Sequence, residues 1–339
     1  MIASDGATYR SVVDAAADGT GFCGVVRIDR HGETEFCSAY GFADRAHGVP
    51  NTPETLFATA SGTKGLTALA VMSLIERGTL ELGTTARSLL GDDLPLIGDG
   101  VTIEHLLAHR SGIGDYLDED GVSAIDDYVL TVPVHRLDAT ARYLPLLDIR
   151  ATVFDPDDQF AYNNSGYVLL ALLAERASGV EFPDLVRTLV CEPAGMTDTS
   201  FLRSDELPGR AALGYLSVDG LRTNVLHLPV RGSGDGGAYS TVADLSAFWE
   251  ALFAGRIVAP ELVADMVRPR SEWPQEGRRY GLGFHCHATG DAVWLEGYDA
   301  GVSLASLHQP SSGITYTVIS NWSNGAWPMV KVVEELLGL

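Results

Sequence analysis

The chain reads as an α+β protein (an α/β sandwich): one antiparallel β-sheet flanked by helices, with a mostly helical lobe inserted into it. Three observations predict this. The 339 residues are 46% apolar and 20% charged, an ordinary globular composition at a length that allows one large domain or two intimate ones. Strand-like runs stand near both ends of the chain, over residues 22–41 and 280–321. Helical spacing fills the middle. The division expected is a discontinuous sheet domain from residues 1–85 and 240–339 and a helical domain over 86–239, with the cleft between them the place for a functional site.

Residues 7–18 predict a helix that Gly19 stops. FCGVVRID and ETEFCSAYG alternate like strands and are parted by Arg30-His31-Gly32, a turn signal, so residues 22–41 predict a hairpin. From Thr59 the pattern turns helical, with Leu66, Leu69, Ala70, Met72, Ser73 and Leu74 at three-and-four spacing as far as Gly78. TIEHLLAH, capped by Thr102, then NSGYVLLALLAERASG and EFPDLVRTLV continue the helical block, with polar loops at 111–160 and 203–240. The helical pair VADLSAFWEALFAG and APELVADMV leads to four strand-like runs: YGLGFHCH, DAVWLEG, GVSLASLHQ and GITYTVISN. WPMVKVVEELLGL closes the chain as an amphipathic helix.

Charge narrows the partners. Lys+Arg 23 against Asp+Glu 45 leaves a net charge of −22. A surface that acidic repels phosphate backbones and anionic lipid, so neither nucleic acid nor membrane is an expected partner. No apolar run approaches the roughly 20 residues of a spanning helix, and the first twenty residues lack the basic start and apolar block of a secretory signal. A cytoplasmic location is expected unless a leader has been removed. Four scattered cysteines, Cys23, Cys37, Cys191 and Cys286, suggest reduced buried thiols, with Cys23 and Cys37 the one pair that a hairpin could bring face to face.

Lysine is nearly absent: Lys64 and Lys331 are the only two. A lysine can lose its proton when desolvated and act as a base, which arginine cannot. Ser61 lies three residues before Lys64, so at a helix start the hydroxyl and the amine share one face a turn apart, beside free N–H groups. The plain alternative is a capping serine followed by a surface lysine. Tyr162-Asn163-Asn164 offers a phenol that can relay protons and a carboxamide that can bind an acyl group; the alternative there is a turn tyrosine with an asparagine cap.

Ser61-x-x-Lys64 within FATASGTKGLTALAVMSLIERGTLEL resembles the serine β-lactamase and penicillin-binding-protein superfamily. So do HLLAHRSGIGDY, FAYNNSGYVLLALLAERASG and GGAYSTVADLSAF, in the same order. The nearest branch is the class C β-lactamases with the related DD-peptidases and serine esterases, and the likeness runs from about residue 20 to the C-terminus. It implies a metal-independent, cofactor-free serine hydrolase with a β-lactamase/transpeptidase-like fold, acting on a small-molecule ester or amide. Ser61 would be the nucleophile, Lys64 its base and Tyr162 the proton shuttle. Asn164 would hold Lys64 and the substrate amide, with Tyr116 lining the cleft. Backbone N–H groups of Ser61 and Tyr298 would form the oxyanion hole.

One motif departs from the pattern. The family has Lys-Thr-Gly or His-any-Gly, followed four residues later by a glycine; counting back from Gly301 puts Leu295-Glu296-Gly297 there. Gly297 keeps the strand edge open, but the cation is gone. If Glu296 faces the cleft, it disfavours an anionic substrate, so weak or absent β-lactamase and DD-peptidase activity and a neutral or cationic ester or amide are expected. The alternative is a solvated strand residue pointing away from the cleft. D-amino-acid peptidase or amidase activity, true β-lactamase activity, and a non-catalytic penicillin-binding-like sensor remain alternatives. Activity through Lys64 and Tyr162 is expected to rise from neutral into mildly alkaline pH. His105 and His109, four apart on a helix, have a metal-capable spacing but lack the glutamate of a zinc protease, so no metal is expected. His285 and His287 read as strand histidines, and Gly232 to Gly237 as a flexible loop without the Lys-Ser/Thr of a phosphate-binding loop.

Overall fold

The computed structural model describes residues 6–117 and 125–339. Its first helix, α1 (Gly6–Thr20), leads into a hairpin of β1 (Gly24–Arg30) and β2 (Glu33–Tyr40). His31 and Gly32 both have positive φ, 51° and 79°, the paired left-handed turn whose twist matches two antiparallel strands. The C-terminal part supplies β3 (Ser271–Trp273), β4 (Arg278–Tyr280), β5 (His285–His287), β6 (Val293–Asp299), β7 (Val302–Gln309) and β8 (Ile314–Ser320). All join one antiparallel sheet in the order β2-β1-β8-β7-β6-β5-β4-β3. Gly24 to Arg30 lie opposite Ser320 to Ile314, so the two ends of the chain pair with each other next to the β2 edge of the sheet.

YGLGFHCH, read as one strand, is two. Gly283 takes φ 92°, and the Gly281 N–H bonds the Phe284 carbonyl at 2.9 Å, turning the chain between β4 and β5. Strand β3 was not expected; three residues are too few to carry a visible alternation.

Period-two alternation sorts the sheet's faces. Val26, Ile28, Tyr316 and Val318 pack on one side with α1 and the closing helix α6 (Ala326–Leu337) through Met329 and Val333. Val25, Leu304 and Ile319 point the other way, toward Val242 and Leu245 of α5 (Val242–Phe253). Also on this second side is α2 (Thr63–Glu76), which is buried on every face from Thr63 to Leu74 rather than along one stripe. It is the middle layer. Its start lies so close to the sheet that a Cβ on Gly62 would come within 2.5 Å of Leu304 Cδ2, while its other side shares a core with α3 (Ile103–Leu107) and α4 (Asn164–Ser178). Among the described residues no helix is long and apolar enough to cross a membrane.

Candidate active site

The site grows from the turn ahead of α2. Thr59 is tied to the chain opposite, its hydroxyl donating to the Ala238 carbonyl at 2.9 Å. Ala60 then takes a left-handed φ of 44°, an unfavourable conformation for a residue with a Cβ. Ser61 follows in a single turn of 3-10 helix (Ala60–Gly62) and looks into a cleft. One turn on, Lys64 is 2% exposed. Its Nζ lies 2.8 Å from Ser61 Oγ, 2.8 Å from Asn164 Oδ1 and 2.9 Å from the Asp235 carbonyl. Three acceptors match the three protons of an ammonium. A neutral amine in the same place accepts the Ser61 proton and still donates to Asn164 and Asp235.

Asn164 opens α4. Asn163 caps that helix, its Oδ1 accepting the Gly166 N–H at 2.7 Å, and anchors it through Nδ2 to the Ile113 carbonyl at 2.8 Å. The Asp115 carboxylate accepts the N–H groups of Asn164 and Ser165 at 2.8 and 3.0 Å, as an anion at a helix N-terminus should. Burial pushes its carboxyl above the usual range, while those N–H bonds and the Lys64 charge pull the other way. Asp235, in the glycine-rich stretch, is likewise raised by burial and pulled down by Lys64. Its carboxylate accepts the Tyr116 hydroxyl at 2.5 Å.

Tyr162 reaches the same point. Lys64 Nζ lies 4.9 Å from its ring centre. The ring sits 4.4 Å from that of His109 and stacks on Trp273 and His285 at 5.8 and 6.3 Å. Strand β6 supplies the opposite wall: a Cβ on Gly297 would fall 2.1 Å from the Thr59 carbonyl, so only glycine lets the strand run this close to the nucleophile's turn. Tyr298 follows and lines the cleft with Ser61, Tyr116 and Asn164.

Glu296 does not join them. Strand alternation sends it to the face away from Ser61, where it pairs with Arg278 at 2.8 Å and borders a separate cavity between the sheet and α6. The substrate-binding role expected of Glu296, and the repulsion argued from it, are therefore corrected: the charge is paired with Arg278 and on the wrong side. Tyr116 lines the cleft but is almost fully buried, its hydroxyl committed to Asp235. His105 Nδ1 accepts the Thr102 N–H in a capping box and His109 Nδ1 accepts the Asn163 N–H, so the two imidazoles serve different segments. The cysteines are free; Cys23 takes the Phe42 N–H, whereas Cys37 lies opposite Arg27.

Sequence reasoning missed Asp115 and Asp235, and took the glycine-rich stretch for a flexible loop. The stretch is a wall: Thr67 donates to the Gly234 carbonyl at 2.6 Å, and a Cβ on Gly234 would fall 2.0 Å from the Tyr167 carbonyl. The available signal was an acid set among glycines, in SGIGDY and again in GSGDGG.

The family model described as Beta-lactamase matches residues 10–333. The chain belongs to the beta-lactamase family. Among curated relatives, the family member esterase EstB of Burkholderia gladioli is 33% identical over 298 residues, 78% of this chain and 74% of that protein. The putative penicillin-binding protein PbpX of Bacillus subtilis strain 168 is 28% identical over 269 residues, 78% of this chain but only 62% of that longer protein. Among solved structures of the family, a penicillin-binding protein from Bacillus halodurans superposes with a TM-score of 0.89 at 33% identity, over 96% of this chain and 99% of that one.

Proposed function

We propose that the protein is a serine hydrolase that cleaves a small ester or amide through an acyl-enzyme on Ser61. Lys64 takes the Ser61 proton as Oγ attacks the substrate carbonyl, forming the C–O bond and placing negative charge on the carbonyl oxygen. The backbone N–H groups of Ser61 and Tyr298 are assigned to that oxyanion, beside the close approach that Gly297 permits. The proton passes by way of Tyr162 to the leaving alcohol or amine as its bond to the acyl carbon breaks. Water then attacks the ester, the same pair removes its proton, and the acid departs as Ser61 regains its hydrogen.

The observation that carries this reading is the Lys64 amine, buried and within 2.8 Å of Ser61 Oγ. The weak β-lactamase activity expected from the sequence now rests on different residues. Among the described residues lining the cleft there is no arginine or lysine to hold a substrate carboxylate, only Asp235 and Asp299. A fluorophosphonate probe should label the protein at Ser61 and fail on Ser61→Ala, and short-chain aryl esters should be hydrolysed far faster than a cephalosporin. Absence of both labelling and ester turnover favours a non-catalytic binding protein instead.

A further inference from the structure

Resting on the hydrolase reading above, we propose that Arg278 is a positioning residue for that reaction: fastened by Glu296 and Glu276, its guanidinium clamps the stack of rings that aims the Tyr162 phenol. Tyr162 stands on an irregular segment just before the Asn163 cap of α4, so its phenol is aimed by what the ring packs against. Trp273 and His285 lie beside it, tilted from its plane by only 22° and 16°. His285 carries the stack on to Trp294, 5.5 Å away and tilted by 13°. Strands β3, β4 and β5, which supply most of this wall, are three residues each. Strands that short make few ladder bonds, so their placement leans on cross-strand pairs of side chains.

Arg278 joins the wall together. It lies opposite Trp273 in the ladder, with its guanidinium carbon 5.3 Å from the Trp273 ring centre and 5.7 Å from that of Trp294. One cation therefore spans both indoles. Its fork is fastened at two points: Nη1 donates to Glu296 Oε2 and Nη2 to Glu276 Oε2, each at 2.8 Å. A planar fork can hold two carboxylates and lie on rings at once, which the point charge of a lysine cannot. Glu296 thus reaches the chemistry from the far face of the sheet, through Arg278 and the rings. Burial first, then the charges of Arg278 and Lys64, hold the His285 imidazole well below the ordinary histidine range, so the ring in the middle of the stack is neutral. Releasing the clamp frees Trp273 to shift and Tyr162 with it, and a proton path tolerates little displacement.

Two esters of one short-chain acid test this, a 4-nitrophenyl ester and an ethyl ester. Ethoxide leaves only with the proton assigned to Tyr162, whereas nitrophenolate leaves as a stable anion. In Arg278→Met, kcat/KM for the ethyl ester is expected to fall about tenfold while that for the 4-nitrophenyl ester stays within about twofold. The second substrate reports in the same assay that the variant is folded. Arg278→Lys keeps a cation for both glutamates but loses the fork, and is expected to show the same split at about threefold or more. A purely structural role would lower both esters alike. An equal loss on the two esters in both variants, or no loss in either, overturns the proposal and leaves the hydrolase reading standing. A wild-type enzyme that turns over the 4-nitrophenyl ester alone also overturns it, because Tyr162 then delivers no proton to a leaving group. Turnover of neither ester by the wild type overturns the hydrolase reading and this proposal with it.

Discussion

At the scale of single residues, Lys64 has two jobs that can be separated. It is the cation compensating two buried carboxyls, Asp115 and Asp235, and in the proposed mechanism it is also the base. Lys64→Met removes both. The loss of the charge should cost about 3 kcal/mol of stability, and kcat should fall about a thousandfold or more, read by denaturant unfolding and ester hydrolysis. Tyr162→Phe separates chemistry from packing. The ring packs on His109 and stacks on Trp273 in either form, so stability should move by less than about 1 kcal/mol while kcat falls about a hundredfold or more. A variant with wild-type kcat would remove Tyr162 from the proton path.

At the scale of elements, the site depends on how closely strand β6 and the start of α2 approach. Gly297→Ala places a methyl 2.1 Å from a backbone carbonyl, which cannot rotate aside, so the strand or the turn must shift. About 2 kcal/mol of destabilisation is expected, together with slower labelling of Ser61, because the same shift displaces the Tyr298 N–H from the oxyanion position proposed for it. Labelling at the wild-type rate would mean that this strand does not supply the donor. Sequence patterning found most of these elements but misplaced their detail. It showed α2 as a helix by its three-and-four spacing but not as an inner layer, since a helix covered on both sides repeats in the same way. It merged β4 with β5, because the turn between them rests on Gly283 and the bond from Gly281 to Phe284 rather than on a break in hydrophobicity.

Over the whole molecule, folding buries imidazoles that carry no compensating charge. His109 and His285 are held well below the ordinary histidine range, first by burial and then by the Lys64 charge for His109 and the Arg278 and Lys64 charges for His285. A depressed folded pKa means that the unfolded chain takes up these protons first, so the stability they confer is intact above about pH 6.5 and is lost as pH falls below it. Each contributes a slope of about 1.4 kcal/mol per pH unit in that window. The buried carboxyls Asp115 and Asp235 oppose this: raised when folded, they favour the native state as pH drops toward their unfolded value. The net slope is therefore less informative than a difference. His285→Phe, which keeps a ring against Trp294, should flatten unfolding free energy against pH between 6.5 and 5 by about 1.4 kcal/mol per unit. An unchanged slope would mean that His285 is protonated in the folded protein.

By itself the sequence determined what is local. The three-residue step from Ser61 to Lys64 sets a hydroxyl and an amine one helical turn apart, the turn residues close the first hairpin, and the repeated strand runs announce an antiparallel sheet. Only the tertiary structure decided what joins Lys64 from Asn164, 100 residues on, and from Asp235, 171 residues on, since no local periodicity encodes such meetings. It also decided which way Glu296 points. A strand's alternation fixes that neighbours face opposite sides, but which side is the cleft is set by the register of β6 against β7 and by its contact with the turn before α2.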